Sequence, residues 1–439
     1  MKVKTITIGG FKNLEKTQVS FDKITALVSP NNYGKSNFLI GIDFALNFIR
    51  GGERDRKKMM AMIQVVPLTP ALENEPFYFE MELHDPKLST YQFIRYGFSF
   101  KWIRDDKSGQ KIINEWIDLR ETESTKYTSY LKRAEGKYRK GKTTNAFRKI
   151  NLNNFQLALD ILSSIEDIEY LAALNVIKHF SFRTCTQLDM DKPYQQASFE
   201  FIDEESSFPD SEDLYKMLYS LKENNPYQFD LFKEAIISLF DDIVDFEITK
   251  TKIEPYKHKV KVFSVSDSES ETESEQSDLP FRLKSETFNI FVWSKYINQP
   301  IDITMLSAGT KRLIWILAIL FTSKSAVQLI AIEELETSIH PNLLKKTLEI
   351  IFEYLEESKL IITSHSPYLI QYLNLDSIYI GMPNKDGVAT FKKIAKGRMN
   401  SLINSANDND LSVGEYLFDL MNINSTSISV LKSFIANRE

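Results

Sequence analysis

Two short apolar runs, residues 329–332 and 360–363, constrain the fold most strongly, because each ends in chemically active polar residues. Uninterrupted apolar runs of this length are typical of strands that are buried on both faces of a parallel sheet. The first run leads into Glu333 and Glu334, and the second into Ser364 and His365. Open α/β sheets bind their ligands at the carboxyl ends of the strands, so the pattern predicts an α/β fold with a site there.

A third apolar run, residues 24–28, leads into a loop with the sequence SPNNYGKS at residues 29–36. Apolar residues at helical spacing follow the loop, and strand, glycine-containing loop and helix together predict a phosphate-binding site. In such a loop Gly34 allows close backbone approach, Lys35 supplies positive charge and Ser36 offers its hydroxyl to Mg²⁺. Ser29 replaces the usual first glycine, and serine suits that position only where the backbone is not left-handed.

The paired carboxylates suit metal-assisted hydrolysis, in which one holds Mg²⁺ through water and the next activates the attacking water. Acidic residues also favour the first turn of a helix, which is the structural alternative for Glu333 and Glu334. Ser307 and Gly309 precede an apolar helix at residues 310–321, so they form either a second anion site or an ordinary N-cap. A lone histidine such as His365 is more often a structural residue of the core or the surface.

A length of 439 residues predicts two or three domains, or one large core with an insertion. We expect residues 1–125 to form the first part of the core, with the phosphate loop and an antiparallel sheet. Residues 126–244 are expected to form a mostly helical insertion with a basic segment, and residues 245–439 the second part of the core. Within the last segment, residues 265–279 are predicted to be a disordered acidic loop.

Composition excludes several classes of protein. The net charge of −6 argues against a basic nucleic-acid binder overall. Residues 126–149 are nevertheless basic, so a local DNA-binding groove and a solvated charged linker both stay open; the candidate side chains are Lys132, Arg133, Lys137, Arg139, Lys140 and Lys142. The single cysteine, Cys185, excludes an internal disulfide framework. The sequence contains neither a membrane-spanning run nor a secretory signal, so we expect a cytoplasmic protein without membrane contact.

Four motifs resemble those of ABC-type ATPases, in the branch that includes the SMC proteins, RecF and the OLD nucleases. They are SPNNYGKSN (29–37) as Walker A, LSAGTKRL (306–313) as the signature, LIAIEELETSIHP (329–341) as Walker B with the D-loop, and ITSHSP (362–367) as the H-loop. The Phe-Lys-Asn-Leu turn at residues 11–14 also resembles that branch. The resemblance implies an ABC-type P-loop ATPase core, a mixed β-sheet flanked by helices, with an antiparallel β subdomain and an inserted helical subdomain.

The resemblance also implies a role for each matching residue. Glu334 would be the catalytic base and His365 would sense the γ-phosphate. Mg²⁺ would be held by Ser36 and Glu333, although aspartate is more usual at Glu333. Ser307 and Gly309 would reach the ATP of a second chain, and Gln187 is the candidate for the glutamine loop. ATP itself would be bound by Asn31, Asn32, Gly34, Lys35, Ser36 and Asn37.

We expect the segment after His365 to be too short for the nuclease domain of the OLD proteins. The chain therefore resembles the stand-alone ATPase subunits of anti-phage systems, such as AriA of PARIS and PtuA of Septu. That resemblance implies an ATP-hydrolysing switch that forms at least a dimer, with larger rings left open. It further implies a separate effector protein and a phage-derived trigger. A RecF- or SMC-like DNA-binding ATPase in DNA repair and a non-hydrolysing scaffold are the alternatives.

Overall fold

The computed structural model describes the backbone of the ranges 1–104, 111–142, 146–186, 192–194, 199–201, 213–252, 281–283, 285–323, 327–382, 386–421 and 425–435. The chain divides into two compact units, and each is described by itself. The first unit contains Met1–Thr186, Lys324–Thr337 and Phe352–Glu439, and the second contains Gln187–Ser323 and Ser338–Ile351.

An antiparallel sheet forms one layer of the first unit. Among the described residues its strands are β1 (Lys2–Gly9), β2 (Thr17–Ser20), β4 (Phe77–His84), β5 (Phe93–Phe100), β6 (Ile112–Arg120), β7 (Thr128–Lys132), β8 (Lys137–Tyr138) and β9 (Arg148–Lys149). Their order across the sheet is β2-β1-β4-β5-β6-β7-β8-β9. Buried and partly exposed residues alternate strictly along β4, as expected for a strand with one face in the core.

A second, mainly parallel sheet positions the motifs. Its strands are β3 (Ile24–Val28), β10 (Phe182–Cys185), β16 (Leu329–Glu333), β17 (Lys359–Ser364), β18 (Ile378–Met382) and β19 (Thr390–Lys393). Their order is β10-β16-β17-β3-β18-β19, and the strands run parallel except β19. The side chains of β16 and β17 are almost all buried, which explains why the sequence shows continuous rather than alternating apolar runs.

Helices pack on both sheets of the first unit. They are α1 (Lys35–Arg50), α2 (Glu53–Met59), α3 (Ala158–Leu162), α4 (Leu171–Lys178), α9 (Pro367–Ile370), α10 (Met399–Asp408), α11 (Val413–Met421) and α12 (Ser425–Phe434). The ring of Phe48 on α1 stacks on Phe98 and Phe100 of β5, with centroid distances of 5.0 and 4.9 Å. Burial of each phenylalanine contributes about 1.5–3 kcal/mol, so this contact fixes the helix that follows the phosphate loop.

The second unit combines helices with short sheets. Its described elements are α5 (Leu214–Asn224), α6 (Pro226–Leu239), α7 (Ala308–Ser323), the first part of α8 (Pro341–Tyr354), β11 (Phe199–Phe201), β12 (Ile243–Lys252), β13 (Phe281–Leu283), β14 (Glu286–Ser294) and β15 (Ile301–Asp302). Strands β12, β14 and β15 form one antiparallel sheet, and β11 pairs with β13. Phe232 of α6 contacts Phe246 of β12 and Phe321 of α7 edge to face, which joins sheet and helices in one core.

Single-turn helices of the 3₁₀ type connect several elements. They are Pro70–Leu72, Arg133–Glu135, Lys192–Tyr194, Ile303–Met305, Leu375–Ser377 and Lys396–Arg398. In the part of the chain that the structure describes, no helix is both long and apolar enough to span a membrane.

The α/β fold predicted from the sequence is confirmed, but one segment differs. Residues 128–149, expected in a mostly helical insertion, contribute β7, β8 and β9 to the antiparallel sheet. The cause is that Tyr130, Leu131 and Tyr138 bury their side chains while Lys132 and Lys137 stay exposed. The predicted acidic loop at 265–279 lies outside the described residues. The domain boundaries after residues 125 and 244 stay predictions.

Candidate functional site

Three motif-bearing strand ends meet at one edge of the parallel sheet. Strand β17 lies between β16 and β3, with Thr363 opposite Glu333 and Ser364 opposite Val28. The residues that follow β3 form the phosphate loop, and His365 follows β17 directly. The edge predicted from the apolar runs therefore brings the loop, the paired carboxylates and the histidine together in the first unit.

The phosphate loop turns through two left-handed residues. Asn32 has a φ of 65° and Gly34 a φ of 96°, and asparagine and glycine are the residues that adopt this conformation most readily. Ser29 is fully buried and does not have a positive φ, so it needs no glycine-like backbone. A Cβ atom added at Gly381 of β18 would lie 2.6 Å from the Cβ of Ser29. The fold thus accommodates the unusual serine because the neighbouring strand has a glycine beside it.

Lys35 begins α1 and folds its side chain back onto the loop. Its Nζ atom donates hydrogen bonds to the carbonyl oxygens of Ser29, at 2.7 Å, and Pro30, at 3.0 Å. Burial lowers the pKa of Lys35, while the negative charges of Glu334, Glu336 and Glu333 oppose that change. The lysine is therefore a buried cation in an acidic surrounding, at the positive end of a sixteen-residue helix.

The other predicted ligands of the loop differ in what they contact. Asn31, Asn32 and Ser36 are exposed, so the Ser36 hydroxyl is accessible at the first turn of α1. Asn37 instead donates a hydrogen bond of 2.8 Å to the side chain of Asn13, in the turn at residues 11–14. The amide of Asn13 in turn donates to the carbonyl of Gly387 at 3.3 Å. Asn37 is thus placed to hold that turn beside the loop.

Glu334 has a φ of 46°, an uncommon backbone conformation for a glutamate. Its N–H donates to Thr363 of the neighbouring strand, to the carbonyl oxygen at 2.8 Å and to Oγ1 at 3.2 Å. Thr337 donates weakly to its carboxylate, at 3.4 Å. The bonds to β17 hold the strained residue in place, and Glu333, the last residue of β16, precedes it. Strain of this kind is concentrated at functional sites.

His365 lies between two carboxylates. Its Nδ1 atom is 3.5 Å from Glu334 Oε1 and 3.7 Å from Glu336 Oε1. Glu336 was not singled out from the sequence. Its Oε1 atom accepts hydrogen bonds from Ser364 Oγ, at 2.8 Å, and from the His365 N–H, at 3.0 Å. The sequence signal for Glu336 was its place as the third acid in the run Glu-Glu-Leu-Glu. Spacing along the sequence did not show which residues its side chain would contact.

Ser307 and Gly309 belong to the second unit. Ser307 Oγ accepts a hydrogen bond from the Thr310 N–H at 3.2 Å and lies 2.8 Å from its hydroxyl, which is the geometry of an N-cap for α7. A Cβ atom at Gly309 would lie 2.2 Å from the carbonyl oxygen of Ser338, so this position requires glycine for packing. Contact of either residue with the ATP of a second chain stays a prediction, and Gln187 lies outside the described residues.

Most of the basic side chains that motivated the DNA-binding alternative contact carboxylates of the same chain. Five of the six candidate side chains contact a carboxylate. The pairs are Lys132–Glu135 (3.4 Å), Arg133–Glu115 (3.5 Å), Lys137–Glu135 (3.5 Å), Lys140–Asp167 (2.6 Å) and Lys142–Glu121 (2.8 Å). The sixth, Arg139, stacks over the ring of Phe147 at 4.2 Å. Lys132, Lys137 and Lys142 nevertheless stay 44%, 47% and 68% exposed, and exposed ion pairs are weak, so the DNA-binding alternative stays open.

The residues at the strand ends fit a nucleotide with Mg²⁺. The amino end of α1 and Lys35 suit phosphate oxygens, and the exposed Ser36 hydroxyl and the carboxylate of Glu333 are oxygen ligands of the kind that Mg²⁺ prefers. No group of three or more His, Cys, Asp or Glu side chains among the described residues is arranged as a metal site. A nucleotide-bound Mg²⁺ commonly takes only one or two carboxylates, with phosphates and waters as its other ligands.

Comparison with solved structures supports the fold. The structure is similar to an SmcHead bound to the C-winged helix domain of ScpA, with a TM-score of 0.52 and 15% identity over 91% of this chain and 100% of that chain. An Smc head domain from Pyrococcus furiosus, with an extended coiled coil and bound to the C-terminal domain of ScpA, has a TM-score of 0.48 and 13% identity over 92% and 99%. The SMC head domain from Thermotoga maritima has a TM-score of 0.43 and 12% identity over 90% and 100%. The first of these similarities supports the fold class of an ABC-type P-loop ATPase core.

Sequence comparison gives the family. No curated protein matches the chain. One family model matches residues 24–371, a range that begins at β3 and ends just beyond α9, and so includes every motif at the strand ends. With most of its length matched, the chain belongs to the AAA_21 family, described as "AAA domain, putative AbiEii toxin, Type IV TA system".

Proposed function

We propose that this chain is an ATP-binding and ATP-hydrolysing switch that self-associates and holds or releases a separate effector protein in bacterial anti-phage defence. The ATPase part is supported by one observation above all. A phosphate loop with a buried lysine, two carboxylates and a histidine converge on three adjacent strand ends. Few functions other than nucleotide hydrolysis use this set of groups in this order.

The proposed roles follow from the position of each side chain. Lys35 exchanges its two carbonyl partners for phosphate oxygens when ATP binds. Ser36 and Glu333 hold Mg²⁺, which neutralises charge on the phosphates. Glu334 orients and deprotonates the attacking water, and His365 contacts the γ-phosphate. Asn31, Asn32, Gly34 and Asn37 shape the loop around the phosphates.

Two substitutions test the ATPase. Lys35→Ala should abolish ATP binding, because it removes the only charge of the loop. Glu334→Gln should retain binding but reduce turnover by about 10²–10⁴-fold, which is the usual contribution of a general base. The measurements are equilibrium nucleotide binding and steady-state phosphate release. Lys58→Ala, an exposed lysine on α2, is the matched control for a lost positive charge. Unchanged turnover in Glu334→Gln would refute its assignment as the base.

Exposed apolar side chains of the second unit support self-association. Met305, directly before the signature, is 75% exposed, and Tyr296, in the preceding turn, is 76% exposed. Met305 lies just before the N-terminus of α7, where an exposed apolar side chain suits a surface that another chain covers. Ser307 and Gly309 would then complete the ATP site of the second chain. The mass of the protein in solution should increase with ATP and Mg²⁺, most clearly in Glu334→Gln. A mass that ATP leaves unchanged in both proteins would refute nucleotide-driven association.

The proposed switch acts on a separate effector protein and responds to a phage-derived trigger. The family description names a toxin and a TA system, which supports a function alongside a partner. Co-expression with the genomic neighbour should give a stable assembly that retains the neighbour. Bacteria that carry both genes should resist phage, and Lys35→Ala should remove that resistance. A chain that ignores its neighbour and dimerises only with ATP would instead support the DNA-repair alternative.

A further inference from the structure

Glu336 is a buried acid that none of the proposed roles uses. It lies two residues after Glu334, in the turn that follows β16, and its side chain is only 10% exposed. One carboxylate oxygen, Oε1, accepts hydrogen bonds from the Ser364 hydroxyl and from the backbone N–H of His365. A single side chain thus holds both residues at the end of β17.

The second carboxylate oxygen of Glu336 is unusual. Oε2 is buried and has no hydrogen-bond partner within the part of the chain that the structure describes. A buried carboxylate is unfavourable unless it is fully hydrogen-bonded, and such groups are retained mainly where function uses them. An asparagine, serine or apolar residue would serve the turn at a lower desolvation cost. Stability alone therefore does not account for a glutamate here.

The imidazole of His365 is placed almost equally between Glu336 and Glu334. The distances from Nδ1 to the nearest oxygen of each differ by only 0.2 Å, at 3.7 and 3.5 Å. Without Glu336, the backbone N–H of His365 would lose its hydrogen-bond acceptor. Of its two acidic neighbours, the imidazole would keep only Glu334. A base that is engaged by the histidine is less able to orient a water molecule.

Glu336 also belongs to the electrostatic surrounding of the phosphate loop. Its negative charge opposes the effect of burial on the pKa of Lys35, as the charges of Glu334 and Glu333 do. Glu336 is therefore near enough to the loop for its position to matter to the phosphates that Lys35 is proposed to bind.

We propose that Glu336 is a positioning residue for ATP hydrolysis, which fixes the Ser364–His365 turn and shares the His365 imidazole with Glu334. It acts through His365 and does not touch the nucleotide. Its two bonds through Oε1 set where the imidazole lies, and its charge keeps the imidazole from closing onto the base. This inference rests on the proposed ATPase function and adds to it the residue that determines the geometry of the histidine.

The test is a double-mutant cycle on the full chain, with ATP as substrate. Glu336→Ala should lower kcat by about 10- to 100-fold, as misplacement of a catalytic group by roughly 1 Å does, with little change in KM. Glu336→Gln should lie between alanine and the wild type, because its amide oxygen still accepts from Ser364 and His365. Glu353→Ala, an exposed glutamate on α8, is the matched control.

The decisive comparison uses His365→Ala as the background. There, Glu336→Ala should reduce kcat by a further factor of less than about two, because a residue that acts through His365 has nothing left to position. An equal loss in both backgrounds would overturn the inference, as would an unchanged kcat of Glu336→Ala. The first measurement is the ATP turnover of the wild type and of Lys35→Ala, in which turnover should be lost. If the wild type has no turnover, the proposed function fails and this inference with it; if it has, a negative cycle rejects Glu336 alone.

Discussion

The contact between Ser29 and Gly381 makes a sharp prediction about the phosphate loop. In Gly381→Ala the new Cβ atom would lie 2.6 Å from the Cβ of Ser29 and 2.8 Å from Cε1 of Phe391. Both distances are well below van der Waals contact, and both neighbours are buried. The backbone at Gly381 does not have a left-handed φ, so alanine is unfavourable there only through these contacts. Ser29 must move, and the carbonyl that holds Lys35 moves with it.

The magnitude follows from the cost of overpacking. Inserting a methyl group into a well-packed region costs about 1–3 kcal/mol. The gain from replacing glycine by alanine in a strand is about 0.5–1 kcal/mol, which is smaller. If the cost of about 1–3 kcal/mol is taken from the free energy of ATP binding rather than from folding, ATP binds about 5- to 150-fold more weakly. Equilibrium titration with a fluorescent ATP analogue measures this loss, and chemical denaturation shows how much of the cost falls on folding.

A second substitution separates the proposed cause from a general effect. Ser29→Gly removes the atom that the new methyl group would strike, so the double variant should recover most of the affinity. The remaining deficit reflects Phe391, which the double variant leaves in place. Gly397→Ala is the control, because a Cβ atom there would meet nothing within 4 Å. If Ser29→Gly fails to restore binding to Gly381→Ala, the explanation of the serine in this loop is wrong.

Two further predictions concern stability. Burial, together with the positive charges of nearby lysines, lowers the pKa of Lys359 to about 8 from 10.5. Between pH 8 and 10.5 the unfolded chain therefore binds more protons than the folded chain. The free energy of unfolding of the wild type should rise relative to that of Lys359→Gln as pH increases over this range. A difference between the two proteins that stays constant with pH would contradict this. Gly309→Ala should destabilise the second unit by about 1–3 kcal/mol without nucleotide, because its methyl group meets the carbonyl of Ser338. A thermal unfolding curve of that variant that matches the wild type would show that Gly309 is needed only for contact with a ligand.

The parts of the fold that sequence patterns predicted well are those where burial alone decides the pattern. The apolar runs at 24–28, 329–332 and 360–363 correspond to β3, β16 and β17, because strands covered on both faces admit few polar residues. Strands β8 and β9 have two residues each, too few to show alternation. Their place in the sheet depends on the pairing of β8 with β7 and of β9 with β8, which a local pattern does not contain.

The same limit applies to the candidate site. The order of Lys35, Glu333, Glu334 and His365 along strand ends could be predicted, because each motif is local and parallel strands align their ends. Glu336 could not be recognised, since its partners come from a different strand. The space beside Ser29 is likewise provided by a glycine 352 residues later in the chain. Contacts between distant segments require the structure.

The left-handed backbone of Glu334 has a consequence for the history of the sequence. A left-handed conformation costs a non-glycine residue roughly 1–2 kcal/mol, which exceeds the roughly 0.5–1 kcal/mol that the greater freedom of glycine in the unfolded chain costs, so glycine there would make the protein more stable. Selection for heat resistance alone would therefore replace the proposed base. A glutamate persists at such a position only while its chemistry is needed. Descendants of this protein that lose their enzymatic task are expected to change here early, and to become harder to unfold as they do.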